Sequence, residues 1–389
     1  MSEQSTEHVD IAVIGGGLAG IAAAHVATNS GFSTVHVAPS GAPDARTSAL
    51  MMPSVKFMQD VGLIGEPSSL GTPLAQIRII DATNRMLRAP ETLFTAQEFN
   101  LDAFGWNFAN TALSAAFRKS TPDGAPLQIR NTTLSAAQRT DGIWHLKLKD
   151  GTTLSTELVV GADGKQSKTR QIAGIATREH SYAQSALVCD LALERPIGNC
   201  SIEFHYPNGP FTLVPAAGDK ANLVWIDTKE NLLAAQADPE RFQSALFEKS
   251  QRLFGAIEPL TKSHVFPLSA LSVAKAGNNG IVLVGESAHA FPPIGAQGLN
   301  LGLRDVADLA ACLALVNRQS YGWADRLVAQ YAETRAHDLM RTGHFVDGLF
   351  KSLLSDLLPA QALRSVGLWA LKSFKPLRKF AIEFGMGRN

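Results

Sequence analysis

Apolar and polar positions along this chain fall into three passages of strand, turn and helix. In the first, Val9, Ile11, Ala12, Val13 and Ile14 make a nearly continuous apolar run, the pattern of a strand covered on both faces. A glycine-rich turn follows at 15–20, then an Ala-rich helix to about Asn29, a stop at Gly31 and a second strand over 34–37. In the second passage, the apolar run at 158–160 enters Gly161-Ala162-Asp163-Gly164, and Ser167 is placed to cap a helix with Arg170 one turn in. In the third, Ile281-Val282-Leu283-Val284 predicts a strand, a long loop begins at Gly285, and 306–316 repeats with helical period. Elsewhere 185–194, 200–206, 211–215 and 223–227 read as short antiparallel strands, and 239–254 as a helix. The segment 76–81 followed by Met86-Leu87-Arg88 predicts a hairpin that joins this sheet.

The turns carry the chemistry. Gly15, Gly17 and Gly20 stand in G-x-G-x-x-G spacing between a strand and a helix, the context in which that spacing binds a dinucleotide. Gly15 permits the tight turn, Gly17 lets a pyrophosphate approach the backbone, and Gly20 lets helix and strand pack closely. An acidic residue that would hold ribose hydroxyls belongs near position 38, but the chain has Ala38-Pro39 there. Asp44 lies too far into the following loop to replace it, so ribose recognition falls to backbone groups or to another residue. In the third passage, glycines and prolines fix the backbone of the loop from Gly285 to Asn300. The helix start beyond it offers free N–H groups and a positive dipole end, suited to an electron-rich or anionic group. A flavin ring, negative when reduced, is such a group. His289 reads as a structural hydrogen-bonding residue of the loop rather than a general base.

Composition agrees with a packed enzyme. The chain has 389 residues, 45% hydrophobic and 18% charged, enough for two or three domains. A formal net charge of +0 gives no reason to expect nucleic acid. Cys189, Cys200 and Cys312 show no paired or metal-ligand spacing, which predicts reduced thiols and no metal site. No secretory signal precedes the first strand, and no uncharged run is long enough to span a bilayer. At the other end, Arg364, Lys372, Lys375, Arg378, Lys379 and Arg388 interleave with Leu368, Trp369, Leu371, Phe374, Leu377, Phe380, Ile382 and Phe384. Before them Phe345, Leu349, Leu353 and Leu357 form a helical stripe. Terminal helices packed on the body and a basic amphipathic membrane contact both fit this pattern.

Together the three passages resemble the group A flavoprotein aromatic hydroxylases, in the family's order and at comparable separations. Within that group the chain is most similar to the ubiquinone-biosynthesis hydroxylases. Arg46-Thr47-Ser48-Ala49-Leu50 resembles the family's Arg-containing segment beside the flavin. The stretch 209–215 resembles its substrate-domain strand, and Tyr331, Arg335 and Asp338 its Y-x-x-x-R-x-x-D helix. The run from Gln297 to Asp305 is the most specific match. Glu286 departs from the family's usual Asp, adding a methylene to the carboxylate expected on the ribityl chain, and Ala38 replaces the ribose-binding acid.

The resemblance implies an α/β fold: a Rossmann-like FAD-binding domain of aromatic hydroxylase type, an inserted antiparallel-sheet substrate domain, and C-terminal helices. The implied division is 1–70, 101–180 and 266–345 for FAD, 71–100 and 181–265 for substrate, and 346–389 for the terminal helices. It assigns Gly15, Gly17, Leu18, Ala19 and Gly20 to the pyrophosphate, with Ala38 at the ribose position. Arg46 and Asn110 lie near the flavin or its phosphates, and Asp163 belongs to the motif associated with both FAD and NAD(P)H. Gly285 and Glu286 go to the ribityl region, and Pro293, Gly295, Gly298, Leu299 and Asn300 to the isoalloxazine. The implied reaction is hydroxylation of a polyprenylated phenol with O2 through a flavin C4a-hydroperoxide, with NAD(P)H or another electron donor as reductant. No catalytic side chain is assigned, because the cofactor carries the chemistry. A cytoplasmic location, peripheral contact at the inner face of the membrane and membership of a ubiquinone-synthesis complex are further expectations. Two other readings stay open: an FAD hydroxylase of a small soluble aromatic, and a non-catalytic flavoprotein or assembly subunit. A Rossmann dehydrogenase does not account for the 285–305 segment.

Overall fold

The computed structural model describes residues 7–83, 89–121, 124–354, 367, 369 and 374–386. The three apolar runs of the sequence lie side by side in one parallel sheet. Its order is Ile281–Leu283, Thr153–Gly161, Glu7–Ile14, Thr34–Val37 and Leu127–Arg130. Register aligns the strand ends: Ile14 pairs with both Gly161 and Val37, and Gly161 with Leu283. The expected loops therefore all open from one edge of the sheet. The hairpin of Leu134–Thr140 and Ile143–Leu148 joins antiparallel, taking the first half of Thr153–Gly161 while Ile281–Leu283 takes the second.

The helix Leu18–Asn29 is apolar all round, with every residue from Gly20 to Thr28 buried, as suits a helix enclosed by other elements. Gly31 takes a left-handed φ of 84° just past its end, the stop expected there. The helix Gln297–Leu315 and the long helix Trp323–Leu354 complete this body. Its core joins Ile11, Val13, Val160 and Leu283 of the strands to Ala23, Val26, Leu301, Leu309 and Tyr331 of the helices.

The second body is a nine-stranded sheet. Its order is His289–Ala290, His264–Val273, Thr177–Leu193, Lys220–Thr228, Gly209–Pro215, Cys200–Tyr206, Gln76–Asp81 and Thr92–Thr95, with Ile257–Pro259 pairing on the side. One face is sealed by Leu187, Phe204, Phe211 and Trp225 packing on Leu232 and Leu246 of the helices Lys229–Gln236 and Pro239–Lys249. Three elements differ from expectation. The helix after Asp238 ends at Lys249, not 254, because Gln251 and Arg252 turn left-handed at φ 53° and 60°. The strand expected over 185–194 begins at Thr177, since its early residues find partners on His264–Val273 around a bulge between Ser181 and Ser185. The antiparallel partner of Gln76–Asp81 is Thr92–Thr95, while the expected Met86-Leu87-Arg88 lies outside the described residues. The expected boundaries at 180/181 and 265/266 fall within two strands of this sheet.

A three-stranded sheet, Thr47–Met51, Gly105–Ala109 and Gly71–Leu74, stands between the two bodies. Asn107 ties it to the large sheet, donating to Pro215 O at 3.0 Å and Asn222 Oδ1 at 2.7 Å. The C-terminal helix Lys375–Gly385 lies on the outer strand Thr92–Thr95, where the Arg378 guanidinium stacks over Phe94 at 4.7 Å and meets Glu98 at 3.1 Å. Of the expected terminal pattern, Leu357, Arg364, Leu368, Leu371, Lys372 and Arg388 lie outside the described residues.

Candidate functional site

The first wall of the site is the turn after the first strand. Gly15 has φ 129°, and a Cβ there would stand 2.0 Å from Ala162 O. A Cβ on Gly20 would stand 2.1 Å from Gly15 O. Both positions therefore need glycine because backbone crosses backbone, linking this turn to the Gly161-Ala162-Asp163 turn. At Gly17, by contrast, a Cβ would meet nothing within 4 Å. Gly17 is the exposed N-cap of the Leu18–Asn29 helix, with no side chain capping it. The first-turn N–H groups at Leu18 and Ala19 thus open outward with the helix dipole behind them, a cradle for a pyrophosphate. Ala38 is buried, and its Cβ would meet a side chain on Gly16 at 3.0 Å. No carboxylate stands at that position.

The second wall is the loop from Gly285. Its exposed residues alternate with buried ones: Glu286, Pro293, Gly295 and Gly298 face outward, while Pro292, Ile294, Gln297 and Asn300 are buried. A Cβ on Gly298 also meets nothing within 4 Å. Gly285, at φ 62°, packs on Ala19, whose Cβ would be 3.1 Å from a Cβ on Gly285. A Cβ on Gly302 would stand 3.3 Å from Gly285 Cα, so three small residues bring the two helix starts together. The helix cap Ala296 is left-handed at φ 53° and has no capping side chain. Leu299, half-buried beside it, packs on the first core.

Buried charge holds this loop. Asp305 accepts from Gly285 N at 2.8 Å and from His289 Nε2 at 2.6 Å, and Arg335 lies 2.7 Å from its other oxygen. Burial pushes the Asp305 carboxyl up, but His289 and Arg335 outweigh it and hold its pKa lowered. Arg335 also reaches Asp308 at 2.7 Å and Asp338 at 2.8 Å, and Tyr331 donates to Leu283 O at 2.8 Å. His289 is thus the structural residue expected.

The Asn300 side chain is engaged within the protein. Its Oδ1 accepts from Met51 N at 2.9 Å and Ser54 Oγ at 2.7 Å, and its Nδ2 donates to Ala49 O at 2.9 Å and Ala296 O at 2.5 Å. The amide binds the 47–54 segment to the loop. Asp163 is similarly engaged, accepting from Ser167 Oγ at 2.5 Å, Thr169 Oγ1 at 2.6 Å, Lys168 N at 2.8 Å and Thr169 N at 3.0 Å. Ser167 caps its helix as expected, accepting from Arg170 N at 2.9 Å. Arg170 spans to the third loop, donating to Ser287 O at 2.8 Å.

Arg46 and Asn110 meet through a residue discounted in the sequence. Asp44 forms a two-pronged pair with Arg46 at 2.8 and 2.9 Å and accepts from Asn110 Nδ2 at 2.9 Å. Ser48 donates to Asn110 Oδ1 at 2.7 Å. Burial raises the Asp44 pKa, but the bonds from Arg46 and Asn110 prevail and bring it to about 2. The Asp44 bond chiefly raises the Arg46 pKa, and the Glu286 charge adds to it, so Arg46 looks across to the third loop.

These residues fit FAD. An uncapped helix start beside an open Gly17 suits a pyrophosphate, and a second uncapped start beside an open Gly298 suits the ring. A family described as FAD binding domain matches residues 8–342, and the chain belongs to it. The chain is 29% identical to a ubiquinone hydroxylase, UbiL, of Rhodospirillum rubrum, over 97% of this chain and 89% of that protein. It is also 29% identical to the 3-demethoxyubiquinol 3-hydroxylase of Escherichia coli, over 100% of both. Among solved structures, the p-nitrophenol 4-monooxygenase PnpA of Pseudomonas putida superposes with a TM-score of 0.80, covering 99% of each chain at 16% identity. That likeness establishes the flavin monooxygenase fold expected from the motifs. Among the described residues no cluster of His, Cys, Asp and Glu is arranged to hold a metal.

Proposed function

We infer that this protein is an FAD-dependent monooxygenase that hydroxylates the ring of a polyprenylated phenol in ubiquinone biosynthesis. The observation that carries this reading is the pair of uncapped helix starts, at Gly17 and Gly298, opening on one crevice at the ends of the parallel strands. Full-length similarity to ubiquinone hydroxylases supports the substrate class.

In this reading Leu18 and Ala19 hold the pyrophosphate through backbone N–H groups, and Arg46 balances its charge. Glu286 takes the ribityl hydroxyls, and backbone groups beyond Ala38 take the ribose. Pro293, Gly295 and Gly298 lie along the ring, where the dipole of the helix Gln297–Leu315 favours electron density. When bound, and reduced by NAD(P)H or another donor, FAD supplies an activated oxygen atom from O2. The protein's part is to fix the phenol ring against that atom and to keep water out.

The C-terminal helix extends the reading to the membrane. Trp369, Phe374 and Leu377 are exposed beside the basic Lys379, a surface for the bilayer in which a prenylated substrate resides. No helix among the described residues is long and apolar enough to cross a membrane.

Deleting the gene and profiling host quinones by mass spectrometry tests the function. Loss of ubiquinone with build-up of a prenylphenol one oxygen short is the expected result, and an unchanged profile turns the reading toward a soluble aromatic. Gly298→Trp tests the site: its side chain enters open space, so the protein stays folded and loses FAD. Stoichiometric FAD in that variant would refute the placement.

A further inference from the structure

The nine-stranded sheet has an inner face opposite its helix-covered one, and that face carries a carboxylate–imidazole pair. On Cys200–Tyr206 the alternation sends Cys200, Ile202 and Phe204 to the helix-covered core, leaving Ser201, Glu203 and His205 on the inner face. His205 Nε2 lies 2.6 Å from Glu203 Oε1. Cross-strand register sets Glu203 in one row with Val188, Val224, Thr212 and Ile79, all only half-buried. This row of half-buried side chains crosses five strands on the face turned away from the helices.

The face adjoins the flavin-side loop. At one end, Ala186 and Ile226 of the inner face pack on Ile294. At the other, Ile77 and Ile79 pack in one cluster with Met51, whose N–H is held by Asn300. Ile294 and Asn300 flank the outward-facing Gly295 and Gly298, so the row runs beneath the part of the loop assigned to the ring.

We propose that Glu203 and His205 bind the substrate's phenolic hydroxyl and accept its proton as the ring is oxygenated, an inference that rests on the phenol-hydroxylase reading. His205 holds Oε1, leaving Oε2 to accept the phenol O–H. As π electrons of the ring bond the oxygen that FAD, when bound and reduced, would supply from O2, that oxygen's O–O bond would break and its electron pair would leave on the remaining oxygen, so the hydroxyl on the electron-poor ring becomes strongly acidic. Its O–H bond breaks, the electron pair enters the ring system, and the proton forms an O–H bond on Glu203. The neighbouring apolar residues Val188, Val224 and Ile79 suit the ring and its hydrocarbon substituent.

Other charged groups near this face are engaged. Asp81, across from His205, accepts from Thr83 Oγ1 at 2.6 Å and Ala89 N at 2.9 Å. Asp190 accepts from Asn222 at 2.6 Å, Asp347 of the long helix bonds Tyr182, and Glu98 pairs with Arg378. Glu203 is the carboxylate in the row itself, so neutralising it is diagnostic.

The probe is 4-nitrophenol, whose phenolate is coloured, bound to oxidised FAD-loaded enzyme and read by difference spectra against pH. Wild type should bind the neutral phenol and lower the bound phenolate fraction about tenfold relative to free solution at the same pH, because a carboxylate accepts from O–H and repels O⁻. Glu203→Gln should abolish that discrimination with FAD retained, and should slow turnover about 10²-fold. His205→Phe should weaken the discrimination with FAD equally retained. Binding with the same ionisation in wild type and Glu203→Gln overturns the proposal and leaves the hydroxylase reading standing. Absence of 4-nitrophenol binding to wild type also overturns the proposal, and the quinone profile decides the hydroxylase reading separately.

Discussion

The turn at 15–20 and the loop at 285–300 pack together at the ends of the parallel strands, yet they are held by opposite means. The first is held by steric necessity: Gly15 and Gly20 sit where any Cβ would enter a neighbouring backbone atom. The second is held by side chains from far along the chain: Asp305, His289 and Arg335 around Gly285 N, and Asn300 around 49–54. In the first, Gly15 and Gly20 admit no side chain, although Gly17 between them has open space. A loop built on charge and amide contacts tolerates change when its partners change together.

The largest test of that contrast is Gly15→Ala. Overlap with Ala162 O and an unfavourable φ should together cost about 4 kcal/mol, seen as a collapse of the thermal midpoint and loss of FAD. Arg335→Met should come next, at about 3 kcal/mol, since it strands a buried carboxylate. Denaturant unfolding of Arg335→Met/Asp305→Asn should recover part of that loss, and no recovery would mean that the arginine acts by packing rather than charge. Asn300→Ala should cost about 2 kcal/mol through unpaired backbone groups, and should weaken FAD binding in a fluorescence titration without unfolding the protein.

The smallest effect concerns Asp44, on the rim between the two loops. Its pKa falls from 3.8 to about 2 on folding, so its contribution is in place above pH 3.8 and is lost as pH falls toward 2. The pair is partly exposed, and solvent screening keeps the contribution under about 1 kcal/mol. Asp44→Asn should therefore flatten the acid limb of stability slightly. An unchanged limb would show that Arg46 and Asn110 are positioned without it.

Elements are more legible in this chain than partnerships. The G-x-G-x-x-G turn, the Ser167 cap and the Gly31 stop were legible because each depends on neighbours within a few residues. Asp44 is discounted only as a ribose-binding acid; its link to Asn110, 66 residues away, is a separate partnership that no local pattern shows. Nothing local to Asn300 shows that its amide also meets Met51, Ser54 and Ala49, about 250 positions away. Glu203 and His205 were nearer to hand: two residues apart on an expected strand, they had to share a face. What was absent was which face the helices would cover.

The three strand–turn–helix passages and the nucleotide-type turn are legible in the chain because hydrophobic period and turn chemistry act over one or two turns, and the motifs' resemblance points to the family. Folding adds which side chains hold the loop at 285–300, the link of Asp44 to Arg46 and Asn110, and the inward face of Glu203. Those outcomes depend on the meeting of surfaces from distant segments, and a side chain's partner is chosen by where the backbone places it.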